Sequence, residues 1–372
     1  MSASCLVRAR VGTSFESACI QLQVGVAFFP IQSVESDHVR GKSRCSSEGP
    51  MKLSAVWGAT LSLAMMSCQS PDRTAIRPVA KEKAPATMVL PSAQRSADFT
   101  TGSIFFIGNA TVLIRYAGFT ILTDPTFIHK HGQVPLGYGL KTTRLTDPAV
   151  DIQDLPPLDL IVLSHFHGDH FDQVAERDLN KSTPIVTTRA AAEQLAERGF
   201  KDIRPLETWG PVTIEKGEAR LWITAMPGRH APRLIHVALP DVMGSMLEFH
   251  SASEAVRFRI YITGDTLVID ELKEIPRRYP NIDLGLLHLG GTRVLGLLVT
   301  MDGKQGVEAM RIVNPRVGIP IHYNDYDRFQ SPLSDFQNEV KAAGLQDRIH
   351  YLKHGETYEF HVGPAMQGLN KK

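Results

Sequence analysis

The sequence predicts an α/β fold, on three observations. Short runs rich in Val, Ile, Leu, Phe and Tyr alternate with stretches whose apolar residues recur at helical spacing. Several of these runs end on a histidine or an aspartate, the placement in which open α/β sheets present their chemistry. The order strands-then-helix recurs in each half of the chain, without a repeat of fixed period. Of the 372 residues, 43% are apolar and 21% charged, the balance of a globular chain. A formal net charge of +1 with scattered Lys and Arg argues against a nucleic-acid surface, which would show a basic stripe.

Residues 1–50 show neither periodicity nor a targeting pattern and read as an upstream extension or disordered segment. At Met51 the character changes. Met51-Lys52 precedes an apolar stretch from Leu53 to Met66 that ends at Ser67-Cys68, so 51–68 has the form of a signal peptide with Met51 as true initiator. The Cys68 context resembles a bacterial lipoprotein signal. It implies membrane attachment through a lipid on Cys68 and a place in the cell envelope, periplasmic or lipid-anchored; with Met1 as the start the chain would be cytoplasmic. Residues 69–98 turn to Pro, Ala, Ser, Lys and Arg and read as a disordered tether. All four cysteines (Cys5, Cys19, Cys45 and Cys68) lie before the main domain, expected over 99–365. A zinc ribbon or a cysteine nucleophile is therefore excluded there, and any metal site must use His, Asp and Glu.

Within the domain, Ser103 to Ile107, Thr111 to Tyr116 and Phe119 to Thr123 are β-rich runs separated by Gly108-Asn109 and Ala117-Gly118, as hairpins require. Phe127 to Leu155, rich in Gly and Pro, is long for a structureless connection and is expected to lie over a site. Its His129 and His131 read as solvent-exposed. Leu158 to Leu163 is a buried strand. Asp172 to Leu179 is helical, Pro184 to Thr187 a strand, and Arg189 to Arg198 a helix stopped by Gly199. Strands follow at Val212 to Glu215, Ala219 to Ala225 and Val256 to Thr263. Leu267 to Arg278 reads as a helix, and Asp283 to Leu289 as a strand running into Gly290-Gly291. A helix at Val307 to Ile312 has its cap at Asp302, with Gln305 three residues on. Arg316 to Ile321 is a strand that ends on His322.

The densest chemistry is Ser164-His165-Phe166-His167-Gly168-Asp169-His170-Phe171-Asp172. Alternation along extended backbone lets His165, His167 and Asp169 share a face, and Gly168 permits the turn that brings His170 round. A solvated polar loop carries one or two such residues; three His and one Asp in six are the density of a metal site. His230, Asp265 and His322 each follow a later apolar strand. Alone, each is more often a hydrogen-bonded structural residue or a turn former. Together they make five His and two Asp available to one place, enough for two ions bridged by a carboxylate.

The chain from about Ser103 to Phe360 resembles the metallo-β-lactamase fold superfamily. The pattern HxHxDH is matched by His165, His167, Asp169 and His170, and the later ligands by His230, Asp265 and His322 in order. The resemblance implies a four-layer αββα sandwich of two mixed sheets with helices outside. It implies one ion on His165, His167 and His230, the other on Asp169, His170 and His322, and Asp265 between them. Phe106-Ile107-Gly108-Asn109-Ala110-Thr111 with Leu122-Thr123-Asp124-Pro125 is similar to the branch containing N-acyl-phosphatidylethanolamine-hydrolysing phospholipase D and the ascorbate-6-phosphate lactonases.

Such a site implies a hydrolase with two divalent ions, zinc first and manganese or iron next, whose bridging hydroxide attacks a phosphodiester. A small molecule or a phospholipid is the expected substrate, and no nucleic acid. Asp169 and Asp265 are the candidate catalytic carboxylates, and Asp172 is either an acceptor behind a ligating His or a helix N-cap. Arg229, Thr292, Arg293, Tyr323 and Asn324 flank the ligands and are candidate substrate contacts. The rival expectations are a lactonase or other acyl hydrolase with the same ligands, and a non-hydrolytic metal-binding or nucleic-acid-processing protein.

Overall fold

Two seven-stranded mixed sheets face each other in the computed structural model, which describes residues 86–92, 96–137, 139–232, 240–252 and 255–363. In chain order the elements are β1 (Ala86–Val89), β2 (Thr101–Gly108), β3 (Thr111–Tyr116), β4 (Phe119–Thr123), β5 (Gln133–Pro135), β6 (Lys141–Thr143) and β7 (Leu160–Val162). Next come α1 (Gln173–Asp178), β8 (Ile185–Thr187), α2 (Arg189–Glu197), β9 (Ile203–Pro205), β10 (Pro211–Lys216), β11 (Ala219–Met226), β12 (Gly244–His250) and β13 (Val256–Ile262). The chain continues with α3 (Ile275–Arg278), β14 (Leu284–His288), β15 (Arg293–Val294), β16 (Leu297–Leu298), α4 (Gly303–Val313), β17 (Val317–Ile321), α5 (Leu333–Ala343) and β18 (Thr357–His361). One sheet runs β18-β2-β3-β4-β7-β8-β9 and the other β1-β10-β11-β12-β13-β14-β17.

Side-chain alternation explains the four layers. Ile104 and Phe106, Val112 and Ile114, and Leu160 and Val162 turn inward to a core shared with Ile223, Leu247, Ile260, Leu286 and Ile319 of the facing sheet. The residues between them, Ile107, Leu113, Ile161 and Leu163, face the opposite way and pack with Ala175 of α1 and Ala191 and Leu195 of α2. On the far side Met226, Met246 and Tyr261 meet Leu272, Ile275 and Val313. The expected αββα sandwich is the fold.

Several expectations need correction. Residues 86–92 belong to the fold rather than to a tether. β1 adds a parallel edge strand to β10, from Ala86 opposite Val212 to Val89 opposite Glu215, and Met88 is buried. Its short Ala-Thr-Met-Val run is hidden by the Pro-, Ala- and Lys-rich composition around it. The helix expected over 267–278 is a 3-10 turn at Asp270–Glu274 followed by α3, because Pro276 near the start of α3 has no N–H to continue an earlier helix. β5, β6, β9, β12, β15, β16, α5 and β18 had no counterpart in the sequence reading. The expected extension 1–50, the signal-like segment 51–68 with Cys68, and residues 69–85 lie outside the described residues. No helix among the described residues is long and apolar enough to cross a membrane.

Both sheets are parallel on the side that matters. β4-β7-β8-β9 and β13-β14-β17 pair in parallel, so their C-terminal ends gather along one edge of the sandwich. Asp124 follows β4, His165 lies shortly after β7, Asp265 follows β13, His288 ends β14 and His322 follows β17. β11, antiparallel to β12, delivers His230 to the same edge.

Candidate metal centre

Two groups of donors converge at that edge. His165, His167 and His230 form one; Asp169, His170, Asp265 and His322 form the other, and within each group one ligand atom per residue lies within 4.8 Å of the rest. His167 Nδ1 is 3.0 Å from His165 Nε2 and 3.3 Å from His230 Nε2. Asp265 Oδ2 lies 3.1 Å from His170 Nε2 and 3.8 Å from His230 Nε2, so this carboxylate borders both groups. His322 Nε2 is 3.6 Å from Asp169 Oδ2. All seven residues named from the sequence are thus brought together. The route differs from the expected one. β7 stops at Val162, and a turn through 167–171, closed by His170 N–H and Phe171 N–H to His167 O, sends Asp169 and His170 to one group and His165 and His167 to the other.

Protein groups hold the outward nitrogens and leave the inward ones free. His230 Nδ1 donates to Val299 O at 2.8 Å, and His322 Nδ1 to Leu289 O at 3.0 Å. His165 Nδ1 is 3.0 Å from Ser164 Oγ, and His170 Nδ1 is 2.9 Å from Asp124 Oδ2. A proton on each Nδ1 leaves the lone pair on Nε2, facing inward. Buried Asp169 Oδ1, His170 Nε2, Asp265 Oδ1 and His322 Nε2 have no hydrogen-bond partner within the chain. Burying such atoms unpaired is costly, and a cation in their midst would satisfy them all. The donor set therefore fits divalent ions.

Electrostatics agree. Burial, then the neighbouring imidazoles of His170 and His167, holds His165 well below the ordinary histidine range. Burial and His230 push His167 down to about 3. Both are neutral bases with a lone pair to give. His170 differs: burial would lower it, but the carboxylates of Asp265, Asp169 and Asp124 outweigh burial and raise it well above its usual value, so without a cation it keeps a proton on Nε2 in the place an ion would take. Burial would raise Asp265, yet the imidazoles of His322 and His170 win and keep it ionised.

The supporting residues were only partly visible in the sequence. Asp124 and His288 obey the same strand-end rule as the ligands but went unremarked as site residues. Asp172 is the N-cap of α1: Oδ1 accepts from Val174 N and Ala175 N, and Oδ2 from Phe127 N and Ile128 N. The acceptor behind a ligating histidine is Asp124 instead. Asn109 ties three parts of the site together. Its amide nitrogen donates to Asp169 O, its carbonyl accepts His322 N–H at 2.7 Å, and its own N–H donates to Asp325 Oδ2 at 2.9 Å. Asn109, Asp124 and His322 all have left-handed backbone, with φ of 54°, 32° and 59°. Such conformations are disfavoured for non-glycine residues and persist where surrounding bonds over-determine them, as here.

The segment 127–155 braces the metal loop. Its β5–β6 hairpin presents Pro135 O to Gly168 N–H at 3.0 Å, while His129 is exposed beside Asp147 and Asp151. A Cβ on Gly168 would sit 2.6 Å from Pro135 O and 2.8 Å from Val134 Cβ, so space rather than backbone angle demands glycine there. Gly168→Ala is expected to lower stability by about 1–3 kcal/mol through overpacking and to weaken metal uptake, read by denaturant unfolding and metal titration.

Of the candidate substrate contacts, two have a side-chain oxygen engaged within the fold. The Tyr323 hydroxyl is committed to Leu352 O at 2.9 Å and its ring belongs to the main core. Asn324 Oδ1 accepts Leu333 N–H at the start of α5. The Arg293 guanidinium bonds to Gly296 O in its own hairpin and lies 3.9 Å from Asp302. Arg229 Nε and Thr292 Oγ1, by contrast, are buried without a hydrogen-bond partner.

Comparison with known proteins agrees with this architecture. A family model described as a β-lactamase superfamily domain matches residues 120–323, more than half of the chain. A metal-dependent hydrolase of Caldivirga maquilingensis is 26% identical over 258 residues, 69% of this chain and 97% of that protein. Another, from Thermus thermophilus, is 27% identical over 253 residues, 68% of this chain and 96% of its own length. Among solved structures, an isothiocyanate hydrolase from Delia radicum gut bacteria shares the fold. Its TM-score is 0.60 and its identity 21%, over 70% of this chain and 99% of that one. With sandwich, donor set and relatives in agreement, the chain belongs to the β-lactamase superfamily domain family, as a metal-dependent hydrolase.

Proposed function

We propose that this hydrolase works with two divalent ions and cleaves a phosphodiester. His165, His167 and His230 would hold one ion, and Asp169, His170 and His322 the other. The position of Asp265 carries the proposal: one carboxylate oxygen lies against His230 of the first group and His170 of the second. Five imidazoles with two carboxylates suit zinc, then manganese or iron. When bound, such a pair supplies Lewis-acid polarisation of a phosphoryl oxygen and an acidified water. Asp169, with Oδ1 unpartnered, is the base placed to take a proton from the nucleophile and return it to the leaving group. Arg229 and Thr292 offer unpaired donors to substrate oxygens. Held by His165, His167 and His230 and by Asp169, His170 and His322, such a pair of ions would supply the chemistry of phosphodiester cleavage. A phospholipid is the preferred member of that class, and a lipid on Cys68 would keep the enzyme at its surface.

Bis-p-nitrophenyl phosphate, a phospholipid and a simple lactone, each with and without chelator, test the proposal. Turnover of the phosphodiesters is expected to fall by about 10³-fold on chelation and to return with zinc, the several kcal/mol that metal polarisation supplies. Turnover of the lactone alone would move the substrate to the acyl class. No turnover of any of the three after reconstitution with zinc, manganese or iron would sink the hydrolytic assignment of the site.

A further inference from the structure

Behind the donors lies a second, fully buried cluster. Asp124 Oδ2 is 2.9 Å from His170 Nδ1, 2.9 Å from Ser164 Oγ and 3.2 Å from His288 Nε2, while Oδ1 accepts Ser164 N–H at 2.6 Å. His288 belongs to β14 in the opposite sheet, so the contact crosses the sandwich. Its own backbone N–H donates to Thr263 Oγ1 at 2.9 Å, and that hydroxyl lies 3.2 Å from His288 Nδ1. The Asp124 carboxylate can only accept, so His288 carries its proton on Nε2, toward Asp124, and its Nδ1 is left to accept the Thr263 hydroxyl proton.

Proton directions then follow around the cluster. Asp124 is a shared acceptor: Oδ1 takes the Ser164 backbone N–H, and Oδ2 faces Ser164 Oγ, His170 Nδ1 and His288 Nε2. An acceptor-only carboxylate draws the protons of His288, His170 and Ser164 toward itself. The Ser164 oxygen is left to accept from His165 Nδ1. One carboxylate thus sets the tautomer of a histidine in each donor group, directly for His170 and through Ser164 for His165.

Asp124, His170 and His288 also come close enough together to suggest a third ion position. His170 has one lone pair in its neutral form and cannot face one ion through Nδ1 and another through Nε2. The carboxylate of Asp124 is already engaged by four groups. Hydrogen bonding, not metal, accounts for this cluster.

We propose that His288 is a positioning residue for the metal centre: its Nε2–H, donated across the sandwich to Asp124, holds that carboxylate against His170 and Ser164, so that His170 and His165 present Nε2 inward. This rests on the two-ion site proposed above. Partners behind a ligating histidine typically change metal affinity by about 10–100-fold, which sets the size of the effect.

The test uses the full chain, counting bound zinc per chain and measuring affinity by chelator competition. His288→Leu removes the donor, His288→Gln keeps an N–H at a similar reach, and Thr263→Val removes the hydroxyl that donates to Nδ1. The Leu variant is expected to hold zinc about 10–100-fold more weakly, with Gln recovering most of the loss and Val falling between. Unfolding of the metal-free variants separates packing from positioning, and Thr263→Val serves if the Leu variant does not fold. Two ions in the parent with unchanged affinity in the Leu and Val variants would overturn the role of His288 alone. Equal weakening by Leu and Gln would make His288 a packing residue. A third ion in the parent, lost with His288, would replace positioning by ligation. A parent that takes up no zinc, manganese or iron would remove the two-ion site itself, and this role with it.

Discussion

Replacing Asp265 by Asn is expected to lower kcat by about 10³-fold or more and to reduce bound metal below two ions per chain, since metal polarisation supplies several kcal/mol. Asp265 is buried at the end of β13 and touches the imidazoles of His170, His230 and His322. Asn keeps the shape and loses the charge. Asp169 would then be the one carboxylate left within the two donor groups, and each incoming cation would lose a neutralising partner. Metal counting with steady-state kinetics checks this. An Asp265→Asn protein with two ions and parental kcat would show that Asp265 serves neither ion.

Asp325→Ala is expected to destabilise the protein by about 3–5 kcal/mol, the usual result of removing one member of a buried ion pair. Asp325 is fully buried and receives Asn109 N–H, the Thr146 hydroxyl and His354 Nε2, with Arg144 3.5 Å away. Its loss leaves the buried Arg144 guanidinium with only the neutral oxygens of Thr126, Thr146 and Tyr326 around it and no carboxylate facing Nη2. The combined variant Arg144→Met with Asp325→Leu should unfold closer to the parent, because no buried charge is stranded. Denaturant midpoints decide it: equal losses in the single and double variants would mean that packing, not charge, holds this corner. Asn109 links the corner to Asp169 and His322, so the single variant should also bind metal less tightly.

Much of the fold was legible because its strands are short runs rich in Val, Ile, Leu and Phe whose ends are marked by Gly, Asn, Asp and Pro. β2, β3, β4, β7, β11, β13, β14 and β17 were all visible in this way. The cap at Asp302 is there, accepting Gln305 N–H, although the Gln305 side chain turns instead to Val268 N–H. β12 was missed because it interleaves Ser, Glu and His with its apolar residues, and it is a strand only because β11 and β13 enclose it. β1 and β18 are edge strands whose partners lie far along the chain, so nothing local demands them.

By itself the sequence determined the donors: His165, His167, Asp169, His170, His230, Asp265 and His322 are chemically fit for ions and stand where strands end. Their division into two groups with Asp265 between was implied by the resemblance, and the folded chain brings them together in those groups. The tertiary structure decided that Asp124 and His288 stand behind them. It also engaged the Tyr323 hydroxyl and Asn324 Oδ1 within the fold. The physical reason is that ligand type is a property of a side chain, whereas the direction of a lone pair depends on what binds the other nitrogen. For His170 that partner lies 46 residues away, and the histidine behind it 164 residues from the same carboxylate. No local pattern in the chain could show that pairing.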